Sequence, residues 1–84
     1  MTRENLRRLR LVRNEMLCKY MEHSKRANNC LTEAHKPGVA SQRKEELKNL
    51  FHLYFFIAGE WKDLFHYLDT IIHDIEEEIQ DARY

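Results

Sequence analysis

Five histidines, two cysteines and fourteen carboxylates are the chemically capable side chains of this 84-residue chain. His52, His66 and His73 are separated by multiples of seven, so on a helix they share one face. Asp69 lies three residues after His66 and four before His73, within helical reach of both. A metal needs ligands converging to about 2.0–2.2 Å of one point. Two histidines two turns apart on a straight helix do not converge in that way, and no HExxH or paired-cysteine motif is present. The spacing predicts solvated histidines ion-paired with Asp69, and no metal site. His23, Cys30 and His35, at spacings of seven and five, form no chelate either.

Cys18 and Cys30, if on one helix, are about 18 Å apart at 1.5 Å per residue, beyond disulfide reach. The acids of "DIEEEIQD" form a run that reads as a solvated helix end, whereas acid–base catalysis needs groups converging on a substrate. The two glycines are 21 residues apart and make no phosphate loop. The residues therefore predict no enzyme and no cofactor.

One stretch suggests a nucleic-acid contact. In "RENLRRLRLVRNEM", Arg3, Arg7 and Arg10 share a helical face with Arg8 beside it, and an arginine-rich helix can engage phosphates. Leu6, Leu9 and Val12 tie the same helix to a core, however. The chain as a whole is neutral: residues 1–30 carry +5, residues 31–48 carry +1 and residues 49–84 carry −6. Basic N-terminal and acidic C-terminal segments are each unfavourable for their own helix dipole, and pairing across two helices relieves both. Arg3, Arg7, Arg8 and Arg10 are expected beside Asp69, Asp74 and Glu76.

The elements that would hold these groups are helical. Gly and Pro total three, too few for the turns of an all-β fold. Thr2 or Asn5 can cap a first helix, expected over about 3–34, whose apolar residues recur at Leu6, Leu9, Val12, Met16, Tyr20, His23, Ala27, Leu31 and Ala34. Pro37 and Gly38 mark a turn over 35–40, with Ser41 as the expected N-cap of a second helix over about 42–82.

That second helix carries a heptad. With Leu47 at position a, the a row is Leu47, Tyr54, Trp61, Leu68, Ile75 and Ala82, and the d row is Leu50, Ile57, Leu64, Ile71 and Glu78. The e row, Phe51, Ala58, Phe65, Ile72 and Ile79, is apolar throughout. An a/d/e stripe is wider than a two-stranded coiled coil needs and normally faces two neighbours. Gly59 could break the helix and give a three-helix bundle. The heptad stays in phase across it, which favours one long helix.

The expected fold is all-α: a single domain, an antiparallel helical hairpin assembling into a dimeric four-helix bundle. With level backbones, facing residues have numbers summing to about 76. Helix 1 would then end near residue 73, leaving Ile75 and Ile79 without cover. Phe65, Ile72, Ile75 and Ile79 are the expected oligomerisation residues. Phe55 and Phe56 fall on positions b and c, which should be solvated. With Met21, Leu53 and Trp61 they form the expected docking patch for a partner protein, since interface cores favour aromatics and Met. The functional expectation is a small oligomeric adaptor, chaperone-like or inhibitory regulator. A nucleic-acid regulator using the arginines is the alternative. The N-terminus has no apolar signal-peptide core and no run approaches the ~20 apolar residues of a membrane span, so a cytoplasmic location is expected, with no membrane partner.

Overall fold

The computed structural model describes residues 2–81. It holds two helices, α1 (Arg3–Ala34) and α2 (Ser41–Asp81), and no strand among the described residues. They pack only on each other, as a hairpin about 66 Å long and 16 by 14 Å across.

Local chemistry accounts for the ends. Thr2 has an extended backbone, and its Oγ1 accepts from the Asn5 N–H at 3.1 Å, satisfying one unpaired amide of the first turn. At the other end His35 Nδ1 donates to the Leu31 carbonyl at 2.7 Å. Gly38 then takes φ +83°, the only positive φ among the described residues, and residues 35–40 reverse the chain. Ser41 is the first residue of α2 rather than its cap, and the Ala40 carbonyl accepts from the Lys44 N–H at 2.9 Å.

α2 runs unbroken through Gly59, so the three-helix alternative does not occur. The heptad explains the continuity: Ala58 is buried and Trp61 half-buried on the same seam, and their packing outweighs the ~1 kcal/mol cost of an interior glycine.

The seam itself differs from expectation in three ways. First, the a and e rows make the seam with α1 and the d row lies at its margin. Leu47, Phe51, Tyr54, Ala58, Trp61, Phe65, Leu68, Ile72, Ile75 and Ile79 are all buried or half-buried, while in the d row Leu50, Ile57 and Ile71 are half-buried and Leu64 is exposed. Second, the α1 seam steps strictly by three and four through Leu6, Leu9, Arg13, Met16, Tyr20, His23, Ala27, Cys30 and Ala34. Val12 is exposed, and Arg13 takes its place at the seam. Arg13 can do so because its aliphatic stem covers apolar surface while the guanidinium reaches out. Its Nη1 meets Asp69 Oδ1 at 3.0 Å.

Third, α2 has no bare overhang. Leu6 is buried and Ile79 half-buried, and both line a cleft of about 420 Å³ with Arg3, Arg10, Glu76 and Gln80. The register of the two helices drifts along the hairpin: Glu33 pairs with Arg43 near the loop at 3.6 Å, but Arg13 meets Asp69 at 3.0 Å and Arg10 reaches Glu76 at 2.8 Å, so α1 covers α2 farther along than equal counting from the loop implies. Ile72, at 1% exposure, lies inside the hairpin's own core. Phe65, Ile75 and Ile79 are half-buried on that seam. Burial against α1 thus removes the reason for assigning these four to a second copy. Ala82 lies outside the described residues.

Candidate functional site

The flanks of the hairpin carry what the seam leaves out. Helical position sorts the five expected docking residues onto different faces. Phe55 (position b) flanks the seam on one side, where Tyr20, Ser24, Phe55, Ala58, Gly59 and Lys62 line a groove of about 240 Å³. Met21 and Leu17 lie on the same flank of α1 and are exposed. Phe56 points directly away from α1. Leu53 (position g) lies on the opposite flank. Trp61 is half-buried in the seam and lines a second groove of about 240 Å³ with Val12, Glu15, Met16 and Lys19. The five residues therefore do not make one surface. Phe55 and Phe56 are each 65% exposed, and Met21 is 59% exposed.

Cations close the seam beside these flanks. Lys62 Nζ stands 5.9 Å from the Tyr20 ring centre and Arg26 Cζ stands 6.0 Å from that of Tyr54, near the limit of cation–π attraction. His23, on the seam, lies 6.3 Å from Tyr54 between ring centres, and its Nδ1 donates to the Lys19 carbonyl at 2.8 Å. A carbonyl can only accept, so Nδ1 carries the proton.

The exposed histidines are not arranged as expected. Asp69 is engaged by Arg13, a permanent cation reaching it from the seam. His73 Nε2 instead stands 3.2 Å from Glu77 Oε1, and His66 packs edge-on against Phe65 at 5.3 Å. His52 sits edge-on to Phe51 at 5.3 Å. Among the described residues no group of three His, Cys, Asp or Glu side chains could hold a metal. Cys18 is exposed, Cys30 half-buried, and both are free thiols.

The arginines are partly committed. Arg10 donates to Glu76 through both Nε and Nη2 at 3.1 and 2.8 Å, and Arg8 lies 3.6 Å from Glu4. Arg3 lines the open-end cleft, and Arg7 is exposed. No helix among the described residues is long and apolar enough to cross a membrane. Compared with protein-family models, with curated proteins and with solved structures, the chain matches none.

Proposed function

We propose that the chain is a non-enzymatic protein-binding module: a self-associating helical hairpin that acts as an adaptor, chaperone-like factor or inhibitory regulator. The observation that carries this reading is the exposure of Phe55, Met21 and Leu17 on one flank of a folded hairpin, with Phe56 exposed on the face beside it. Large apolar side chains grouped on a surface mark interaction sites. Aromatics and Met are the types enriched at interface cores. Gly59 adds weight. A Cβ there would meet nothing within 4 Å, so the hairpin itself gains nothing from the glycine. A partner seated in the groove of Phe55, Ala58 and Gly59 would gain closer approach to the backbone.

A non-enzymatic role is supported by the placement of His52, His66 and His73 on solvated surface, away from any shared concave site. The two free thiols are compatible with a reducing, cytoplasmic setting. The nucleic-acid alternative is disfavoured by the carboxylates already engaging Arg8 and Arg10.

Affinity capture with the intact chain and with Phe55→Ser and Phe56→Ser tests the reading. The expected result is that a partner protein is lost in at least one variant whose helical circular dichroism is unchanged. Retention of every partner by both variants overturns it. Capture of nucleic acid, lost on modest increases in salt and in the Arg7→Glu, Arg10→Glu double variant, would favour the alternative.

A further inference from the structure

α2 carries a second seam, a quarter-turn away from the one that binds α1. Positions d and g supply Leu50, Leu53, Ile57, Glu60, Leu64, Tyr67 and Ile71, stepping by three and four like any two-helix interface. Leu53 is 53% exposed, Leu64 48% and Tyr67 71%, while Leu50, Ile57 and Ile71 are half-covered. The d residues mirror one another about the midpoint of residues 60 and 61 (Leu50 with Ile71, Ile57 with Leu64, and at the ends Arg43 with Glu78), and the g residues about residue 60 itself (Leu53 with Tyr67), so the row is close to palindromic.

We propose that this seam binds a second copy of the chain, α2 against α2 and antiparallel, about a two-fold axis passing beside Glu60. The proposal deepens the reading of the hairpin as a self-associating module and names its first partner.

Three observations favour a second copy as the occupant. An isologous interface requires a patch complementary to itself under a two-fold rotation, and the mirrored row lets the seam meet that requirement with the helices antiparallel. Charge favours the antiparallel orientation: the d and g positions at one end of the seam are Asp74 and Glu78, and Arg43 is the base at the other end. Antiparallel pairing sets these ends against each other, while parallel pairing sets acid against acid. One end layer, Glu46 with Asp74, is like-signed, and Arg43 stands 3.4 Å from Glu46 to offset it.

Area is the third observation. The hairpin exposes 6696 Å², against about 5,400 Å² for a compact monomer of its mass. The excess, about 1,300 Å², belongs to the elongated hairpin as a whole and leaves room for the ~800 Å² per partner of a standard interface. Beside the axis the groove of Val12, Met16 and Trp61 leaves room for an entering side chain. Glu60 is the polar member of the seam and would face its own copy, a placement that sets register at some cost in affinity.

Cysteine cross-linking tests the arrangement, in the full chain with Cys18→Ser and Cys30→Ala as background. Under mild oxidation Glu60→Cys is expected to form a covalent dimer by itself. Leu50→Cys alone is expected to form none, but to cross-link when mixed with Ile71→Cys. Without cysteine substitutions, sedimentation of the intact chain is expected to give twice the 10.3 kDa chain mass at micromolar concentration. Leu64→Glu should give the single mass with unchanged helicity, and Glu60→Leu should tighten association at least several-fold. A monomeric intact chain, a dimeric Leu64→Glu variant or self-cross-linking of Leu50→Cys overturns the proposal. None of these outcomes bears on Phe55, whose flank lies outside the seam, so failure here is distinct from failure of partner docking.

Discussion

The two glycines should respond to alanine with opposite signs. Gly59 lies inside α2 without a positive φ, and a Cβ added there would have no neighbour within 4 Å. Alanine at this position gains helix propensity and restricts the unfolded chain, for about 0.4–1 kcal/mol of stabilisation. Unfolding entropy near 2.1 cal/mol/K per residue, over a chain of this length, converts that to a Tm rise of about 2–6 °C. Gly38 holds φ +83° in the connection, where a Cβ is strained by about 1–2 kcal/mol. Gly38→Ala should therefore lower Tm by about 5–10 °C. The assay is thermal melting followed at 222 nm, with all variants at one protein concentration because self-association makes Tm concentration-dependent. A Tm that falls in Gly59→Ala would mean that α2 is interrupted there or that something in the isolated protein packs on Gly59, contrary to the open helix face described above. If the groove at Gly59 seats a partner, the stabilised variant should bind that partner less tightly than the intact chain.

Ile72→Ala removes one of the two fully buried large side chains on α2 and should cost about 2–5 kcal/mol, enough in a hairpin with few fully buried residues to abolish cooperative melting. The Arg13–Asp69 pair should respond asymmetrically. Arg13→Met, which keeps the apolar stem at the seam, should change stability by less than about 1 kcal/mol. Asp69→Ala leaves a half-buried cation unpaired and should cost more, as chemical denaturation of both variants will show. A double-mutant cycle on Arg10 and Glu76, both substantially exposed, should return a coupling of about 0.2–1 kcal/mol, reduced in high salt.

The hairpin is legible in the sequence because its signals are local. Pro37–Gly38 marks the reversal, and the apolar repeat holds phase through Gly59. What stays hidden depends on direction. Periodicity reports how wide an apolar stripe is, not which edge faces which neighbour, so the a/d/e stripe does not reveal that e packs on α1 while d lies at the margin, with Leu64 exposed. Val12 reads as core and Arg13 does not, because a charged residue gives no apolar signal, although its stem serves as one. The expected overhang fails because counting residues from the loop assumes a constant register, whereas the pairing drifts from Glu33–Arg43 to Arg10–Glu76. The five docking residues are close in sequence or in level along the hairpin, but helical geometry scatters them around its surface.

The single reversal at residues 35–40 has a kinetic consequence. Every tertiary contact is nested inside the next, from Glu33–Arg43 beside the loop to Arg10–Glu76, 66 residues apart, near the open end. Such a topology can close rung by rung from the loop, each step adding little further loop entropy, and the prevalence of helical contacts favours fast folding. The order also runs in reverse. The N-terminal turns of α1 are the last to dock and the first to open, so amide exchange should be fastest and proteolysis earliest around Arg3, Arg7 and Arg8. The most basic stretch of the chain is then also the one most easily released from α2, Arg10 leaving Glu76 as it opens.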